Sequence, residues 1–157
     1  MQKVNVLFVC LGNICRSPAA EALLRQLASK HAGLEIYIES CGLGNWHQGK
    51  LPDPRMREAA AARGVHLTSR AQEFRPEFLD VFDLILAADR SVLDVLKKAA
   101  GTPEQKGKIT LMTAFSKLYR DSDVPDPYHL TGAAFDQVLD ILEDSCKGLL
   151  FKIQKNG

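Results

Sequence analysis

The segment from Val9 to Pro18 is the sequence feature that most constrains the fold of this 157-residue chain. An apolar, β-branched run from Val4 to Val9 precedes it and predicts a strand buried on both faces. Pro18 suits the first turn of a helix. The apolar residues that follow at helical spacing are Ala20, Leu23, Leu24 and Leu27. The sequence therefore predicts a strand, a short loop and a helix.

The short loop has the residues of an anion site. Backbone N–H groups at a helix start lack intrachain acceptors, and the helix dipole adds partial positive charge there. Cys10 lies at the rim, where these donors stabilise a thiolate, so we predict that it is a nucleophile. Arg16, six positions later, matches two oxygens of a phosphate. Gly12 and Asn13 are expected to supply left-handed φ angles, and Ser17 to act as the helix N-cap.

The rest of the chain alternates strands with helices. Further strands are predicted over residues 35–40, 84–87 and 109–112. Helices are predicted over residues 54–64, 76–82, 90–101 and 132–153, with Asp53, Asp89 and Thr131 as N-caps. This alternation predicts an α/β fold, a single domain over residues 1–157, with a parallel sheet covered on both faces. Ligands of such sheets bind at the carboxyl ends of the strands, where Cys10 lies.

Composition limits the classes of partner. The formal net charge is +1, so neither nucleic acid nor a membrane surface is expected as a partner. No stretch approaches the ~20 apolar residues of a membrane span, and no apolar signal region follows the first residues. A cytoplasmic location is expected, with export by a route without such a signal left open. The four histidines are scattered, so no metal site is predicted.

The Val9–Pro18 segment closely resembles the signature loop of the low-molecular-weight protein tyrosine phosphatases. The resemblance continues through Ser40, the segment 52–55 (Pro-Asp-Pro-Arg) and the segment 126–128 (Asp-Pro-Tyr), in the family's order. It implies a flavodoxin-like three-layer sandwich with a four-stranded parallel sheet in the order 2-1-3-4. It also implies a monomeric, metal-independent phosphatase without a cofactor, which acts on phosphotyrosine proteins or small aryl phosphates through a phosphocysteine intermediate.

A general acid is required to protonate the leaving phenolate, and it has to come from elsewhere in the chain. The long loop over residues 113–130 offers Asp121, Asp123 and Asp126. Pro127 restricts Asp126 to extended geometry, although from the residues alone a plain Asp-Pro turn is the simpler interpretation. The resemblance implies that Asp126 is the general acid, and then the base that activates water.

The resemblance also implies the residues around the phosphate. The phosphate-binding loop comprises Leu11, Gly12, Asn13, Ile14, Cys15, Arg16 and Ser17. A hydrogen bond between Asn13 and Ser40 is expected to make the loop rigid. Ser69 stands where many relatives have a histidine that extends this network. The substrate crevice is expected to be walled by Leu11, Ile14, Trp46 and Tyr128, with His129 in place of a second tyrosine.

The other cysteines have two interpretations. Cys15 either fills space in the loop or is a resolving thiol that traps oxidised Cys10 as a disulfide, as in relatives that have this cysteine. Cys41 and Cys146 are expected to be packing residues.

Two other functions compete with the phosphatase. Thiol-linked arsenate reductases have a similar loop but need two further cysteines near the third strand, and residues 82–89 contain none. Alternatively, the chain is an anion-binding or redox-responsive module in which Cys10 and Cys15 form a switch without turnover. The presence of Asp126 argues against such a module, because a binding protein needs no acid for a leaving group.

Overall fold

The computed structural model describes residues 2–156 and contains a four-stranded parallel sheet. Its strands are β1 (Gln2–Cys10), β2 (Leu34–Gly42), β3 (Leu84–Ala87) and β4 (Ile109–Leu111). The strand order is β2-β1-β3-β4, and every pairing is parallel. The predicted strand order is therefore confirmed. β2 is longer than predicted, so that Cys41 lies in the strand rather than in the following loop.

Six helices are described within residues 2–156. They are α1 (Arg16–Ala28), α2 (Pro54–Ala61), α3 (Phe78–Val81), α4 (Arg90–Ala99), α5 (Pro103–Gly107) and α6 (Gly132–Lys155). α5 was not predicted, because its five residues carry no apolar periodicity. The helix predicted to run to residue 64 ends earlier, and the chain then turns through Gly64 at a φ of 76°.

β1 is the central strand, and its alternating side chains enter two separate cores. Val6 and Phe8 pack in a cluster that includes buried residues of α1, α2 and α6. Leu7 and Val9 pack in a second cluster with residues of α3 and α4. The period of two in a strand places successive side chains on opposite faces. A sheet with helices on both faces results, which confirms the three-layer flavodoxin-like fold.

α6 and the segment before it connect the far end of the chain to the sheet. The eight apolar residues predicted to line α6 are buried: Phe135, Val138, Leu139, Leu142, Cys146, Leu149, Leu150 and Ile153. Residues 112–131, between β4 and α6, contain neither helix nor strand. This segment returns to the carboxyl edge of the sheet, where the N–H of Val124 donates to the carbonyl of Ala88 at 2.8 Å. It therefore lies beside the end of β3.

The carboxyl end of β1 lies between its two neighbours. β1 pairs with β2 along one edge and with β3 along the other. The direction in which successive strands are added to the sheet therefore reverses beside Cys10. Crevices at such a reversal are the usual ligand sites of open α/β sheets. The loop over residues 11–15 occupies this position and leads into α1.

Candidate active site

The sulfur of Cys10 lies inside a set of hydrogen-bond donors. Its Sγ is 2.9 Å from Ser17 Oγ and accepts from the backbone N–H of Asn13 at 3.2 Å. Ser17 Oγ in turn accepts from Asn13 Nδ2 at 2.7 Å, so its proton can be donated either to the sulfur or to the Cys41 carbonyl, which lies 3.4 Å away. The predicted N-cap role of Ser17 is wrong, because α1 begins at Arg16 and Cys15 occupies the N-cap position.

The two loop residues expected to have left-handed φ differ in the structure. Asn13 has a φ of 58°, whereas Gly12 is not left-handed, so that part of the prediction is wrong for Gly12. The small size of Gly12 has another reason: an added Cβ would lie 3.1 Å from Cδ2 of the His47 ring. A side chain at this position would therefore make a tight contact with the His47 ring, which would have to shift slightly.

A buried hydrogen-bond network supports Asn13. Its Nδ2 donates to Ser40 Oγ at 3.0 Å, and its Oδ1 accepts from the backbone N–H of Gln72 at 2.9 Å. Ser40 Oγ donates to Glu21 Oε1 at 2.5 Å, and the other oxygen of Glu21 pairs with Arg25 at 2.7 Å. The network therefore ends at a carboxylate of α1, which sequence reasoning missed. An acidic residue on the buried side of α1 was the available signal.

Ser69 lies apart from the hydrogen bonds of Asn13. It lines a surface depression together with Glu21 and Ser40. The Ser40 hydroxyl donates directly to the Glu21 carboxylate. The network is therefore complete with a serine, rather than a histidine, at position 69.

Arg16 is buried at the first position of α1, with a relative exposure of 3%. Its Nη1 donates to Asp89 Oδ2 at 2.7 Å and to the Val124 carbonyl at 2.9 Å. Its Nη2 lies 3.7 Å from Asp126 Oδ2. Burial alone lowers the pKa of Arg16, but the negative charges of Cys10, Asp89 and Asp126 outweigh burial and raise it. The guanidinium is therefore a fixed positive charge beside the sulfur.

Asp89 has two partners, of which the sequence indicated one. As predicted, it is the N-cap of α4, and its Oδ1 accepts from the N–H of Val92 at 2.9 Å. Its other oxygen holds Arg16, a contact that was not predicted. Burial raises the pKa of Asp89, but the hydrogen bonds from Arg16 and Val92 lower it below its ordinary value. A carboxylate two positions after the end of β3 was the signal for this second role.

Of the three candidate acids, only Asp126 lines the cleft. Its side chain is 42% exposed, and its Oδ1 accepts from the N–H of Tyr128 at 3.2 Å. Asp123 is instead bound by Arg90, at 3.1 Å from the backbone N–H and 3.0 Å from Nη1. Asp121, with a φ of 62°, contributes its carbonyl to the same arginine. Neither Asp123 nor Asp121 lines the cleft.

The cleft has a volume of about 220 Å³. Its lining residues are Cys10, Leu11, Gly12, Ile14, Cys15, Arg16, Trp46, His47, Asp126, Tyr128 and His129. Cys10 forms the floor at 3% exposure, and Trp46 on the wall is 63% exposed. All the predicted wall residues are brought together, and His47 is added to them. Its place in sequence, directly after Trp46, was the only signal.

All four cysteines are free and buried. Burial raises the pKa of the Cys15 thiol, and the nearby negative charges of Asp53 and Cys10 raise it further. Burial likewise raises the pKa of Cys41, and that of Cys146 to about 12. Cys41 and Cys146 lie in the two hydrophobic cores, in agreement with their predicted packing roles. These three thiols are therefore protonated at neutral pH.

The described part of the chain, residues 2–156, contains no group of three or more His, Cys, Asp or Glu side chains arranged to hold a metal ion. None of its helices is both long and apolar enough to cross a membrane.

The chain is similar to known proteins along nearly its whole length. A family model described as low molecular weight phosphotyrosine protein phosphatase matches residues 5–157. The low molecular weight protein-tyrosine-phosphatase YfkJ of Bacillus subtilis is 39% identical over 155 residues, which cover 97% of each chain. A protein tyrosine phosphatase from Entamoeba histolytica, crystallised with Hepes in the active site, has a TM-score of 0.90 at 35% identity over 98% of each chain. Wzb of Vibrio vulnificus, in complex with benzylphosphonate, has a TM-score of 0.82 at 26% identity, covering 95% of this chain and 98% of Wzb.

The fold and the matched relatives define a class, the phosphoric monoester hydrolases that act on phosphotyrosine. Within that class, the chain belongs to the low-molecular-weight protein-tyrosine-phosphatase family. The resemblance noted from the loop residues is thereby confirmed over nearly the whole chain.

Proposed function

We propose that this phosphatase hydrolyses phosphotyrosine and other aryl phosphates through a phosphocysteine intermediate, with Cys10 as nucleophile, Arg16 as phosphate clamp and Asp126 as general acid and base. The observation that carries the proposal is the convergence of these three side chains on one cleft. The Ser17 hydroxyl and the backbone N–H of Asn13 lie within hydrogen-bond distance of the sulfur that is proposed to attack. The remaining loop residues, 11–17, are proposed to surround the phosphate oxygens.

In the first step, the thiolate of Cys10 attacks phosphorus and the bond from phosphorus to the aryl oxygen breaks. The Asp126 carboxyl proton passes to that oxygen, so the phenol leaves uncharged. Arg16 presents its guanidinium to two of the phosphoryl oxygens, which carry the negative charge of the transition state. Asp89 and the Val124 carbonyl hold the guanidinium in place through Nη1, which leaves Nη2 directed towards the cleft.

In the second step, a water molecule attacks the phosphorus of the phosphocysteine. Asp126, now a carboxylate, accepts a proton from the water, and the bond between phosphorus and the Cys10 sulfur breaks. Phosphate is released and the thiolate is restored. Every proton and electron pair is accounted for by these two side chains and water, so we propose that neither a metal nor a cofactor takes part.

The depth of the cleft favours aryl over short alkyl phosphates. Cys10 is at the floor, while Leu11, Trp46 and Tyr128 are exposed at the walls. A phosphotyrosine ring spans such walls and brings its phosphate to the sulfur, whereas phosphoserine is too short. The ligand named for Wzb, benzylphosphonate, also carries an aromatic ring. Phosphotyrosine peptides are therefore expected to be cleaved well ahead of matched phosphoserine peptides.

The proposal is tested by hydrolysis of a chromogenic aryl phosphate with a chelator and a thiol reductant present. Wild type is expected to turn over and, after an acid quench, to carry one phosphoryl group on Cys10 by peptide mass spectrometry. Cys10→Ser is expected to be inactive, and Asp126→Ala to be slower by about 100- to 10,000-fold. An Asp126→Ala variant as fast as wild type would reject Asp126 as the acid. An inactive wild type that still binds phosphate would favour the binding-module alternative.

The same proposal includes a cytoplasmic monomer whose residues 1–157 form one phosphatase domain. Light scattering at working concentration is expected to give the mass of one chain, and cell fractionation to place the activity in the cytosol. Limited proteolysis is expected to yield no smaller stable fragment.

A further inference from the structure

The segment 52–55 (Pro-Asp-Pro-Arg) is unassigned by the function proposed above, although it lies next to the cleft. Asp53 begins α2 as its N-cap and is buried, with a side-chain exposure of 7%. Its two oxygens accept from Arg55 at three points: the backbone N–H at 2.8 Å, Nε at 3.1 Å and Nη2 at 2.8 Å. This paired contact fixes the plane of the guanidinium.

The fixed guanidinium reaches the segment that carries the proposed acid. Arg55 Nη2 donates to the carbonyl of Tyr128 at 2.9 Å. Its Cζ also lies 5.6 Å from the centre of the Tyr128 ring and 4.7 Å from that of Phe135, distances at which a cation is attracted to an aromatic face. Arg55 therefore contacts both the backbone and the ring of Tyr128.

The backbone of Tyr128 is thus held on both sides of its Cα, through its N–H and through its carbonyl. Its N–H donates to Asp126 Oδ1, and its carbonyl accepts from Arg55. On the other side, the N–H of Asp53 donates to the carbonyl of Ile14 in the phosphate-binding loop at 2.8 Å. The Asp53 and Arg55 pair therefore connects that loop to the Asp126–Tyr128 turn across the cleft.

We propose that Arg55 is a positioning residue that holds the Asp126–Tyr128 turn over the cleft and so aims the acid at the leaving oxygen. The inference rests on the proposed function, in which Asp126 is the acid. Asp126 itself is partly exposed, and its separation from Arg16 is 3.7 Å, longer than a strong ion pair. An exposed turn without a fixed partner loses order. A catalytic group that is displaced by about 1 Å lowers the rate by on the order of 100-fold.

The test compares kcat/KM for a series of aryl phosphates, from nitrophenyl to phenyl phosphate, in wild type and Arg55→Met. Methionine keeps an unbranched stem but removes the guanidinium. A misplaced acid slows poor leaving groups most, so we expect losses of up to about 100-fold for phenyl phosphate and much smaller losses for nitrophenyl phosphate. The inhibition constant for inorganic phosphate is expected to stay within about twofold, because no contact to the phosphate changes.

Arg63→Met is the matched control. Arg63 follows α2 and pairs with Asp140 at 2.9 Å and Glu143 at 3.3 Å on α6, away from the cleft. Its loss removes an arginine–carboxylate link of similar size without touching the acid turn. We expect the dependence of kcat/KM on the leaving group to be the same in Arg63→Met as in wild type. The combination of Arg55→Met with Asp126→Asn is expected to lose no more than Asp126→Asn alone, because Arg55 acts through the acid.

Failure of this inference is distinguishable from failure of the proposed function. If Asp126→Asn does not steepen the dependence on leaving group, the assignment of the acid fails. If Asp126→Asn steepens it while Arg55→Met slows all substrates equally, or weakens phosphate inhibition, the positioning role of Arg55 is overturned. Should Arg55→Met not fold, Arg55→Lys carries the same test. It keeps the charge but cannot bind Asp53 and Tyr128 in one plane, so a smaller steepening is expected.

Discussion

At the scale of single residues, the central feature is the buried cation Arg16, which the proposed function assigns to the phosphate. Arg16 is nearly inaccessible, and Asp89 supplies the nearest negative charge at 2.7 Å. Removing one partner of a buried pair leaves the other charge without compensation. A phosphate bound in the cleft would supply negative charge to the same guanidinium. The stability of the protein and its affinity for phosphate are therefore expected to be linked through Arg16.

We predict that Asp89→Asn lowers the free energy of unfolding by about 1–3 kcal/mol, because the partner of Arg16 loses its charge while its shape is kept. Inorganic phosphate should restore part of this loss, so its effect on the melting temperature is expected to be larger in the variant than in wild type. The control is Asp123→Asn, which breaks an exposed pair with Arg90 and is expected to cost less than about 1 kcal/mol. Equal phosphate effects in Asp89→Asn and wild type would contradict the link.

The thiol of Cys15 is expected to affect how Cys10 responds to oxidation. We predict that peroxide converts the Cys10 thiolate to a sulfenic acid with release of hydroxide. The Cys15 thiol is then expected to attack that sulfur, so that water leaves and a disulfide forms. Peroxide-treated wild type is expected to regain activity with a dithiol reductant, whereas Cys15→Ser is expected to proceed to irreversible sulfinic acid. Cys146→Ser, whose thiol is buried beside the Ala20 carbonyl, should recover like wild type. Full recovery of Cys15→Ser would leave Cys15 as a space-filling residue.

At the scale of elements, two close approaches determine how the segments around the site fit together. The end of β2 lies directly against the phosphate-binding loop, and the N–H of Leu43 donates to the Cys10 carbonyl at 3.0 Å. α6 in turn lies against the segment after β4, where Asp144 accepts hydrogen bonds from Ser116 and from two backbone N–H groups. In both places a glycine allows the backbones to meet.

Gly42→Ala is predicted to distort the phosphate-binding loop. An added Cβ would lie 2.9 Å from both the Leu11 carbonyl oxygen and the Gly12 carbonyl carbon, which are backbone atoms and cannot swing aside. We expect kcat/KM to fall and phosphate inhibition to weaken together, and stability to drop by about 1–3 kcal/mol. Gly107→Ala, where nothing lies within 4 Å, is the control. Wild-type phosphate inhibition in Gly42→Ala would show that the loop can move to accept the methyl group.

Gly148→Ala is predicted to affect stability rather than chemistry. The added Cβ would lie 1.8 Å from the Phe115 carbonyl oxygen, so α6 or the facing segment has to move. We expect a loss of about 1–3 kcal/mol in chemical denaturation, with kcat/KM of the folded fraction near that of wild type. Gly132→Ala, on the same helix with nothing within 4 Å, is expected to be neutral or slightly stabilising. Equal stabilities of the two variants would contradict the close approach.

At the scale of the whole molecule, carboxylates join loops to the layered core. Asp53 holds Arg55 at the start of α2, and Arg55 in turn binds the Tyr128 carbonyl. Asp89 attaches α4 to the site, and Asp144 holds residues 116–118 on α6. The Arg55 hydrogen bond lowers the pKa of Asp53, and the Leu118 N–H followed by the Ser116 hydroxyl lowers that of Asp144. The pKa of Asp89 is lowered as well. These groups make stability depend on pH.

We predict that stability falls as pH drops through the carboxylate range. Because the folded pKa values lie below the unfolded value of about 3.9 for aspartate, the unfolded chain binds more protons. The contribution is fully present above that value and is lost as pH falls through the folded pKa values. Asp144→Asn is expected to flatten a plot of unfolding free energy against pH below about pH 5, and Asp94→Asn, on the exposed face of α4, is the control.

The sequence by itself determined the sheet, the order of elements and the loop that carries Cys10 and Arg16. These features depend on local periodicity and on neighbours a few positions apart, which the chain displays directly. α5 escaped detection because five residues without an apolar face give no periodic signal. The predicted caps of α2 and α4 are confirmed for the same local reason, since each side chain binds an N–H two or three positions ahead.

Only the tertiary structure decided the contacts between distant segments. The pairing of Asp89 with Arg16 spans 73 residues, and that of Arg55 with Tyr128 also spans 73. Nothing in the local sequence of either partner specifies the other, because the direction of a side chain depends on how the layers pack. The same packing separates Asp126 from Asp121 and Asp123, which are equally acidic in sequence, and brings only Asp126 to the cleft.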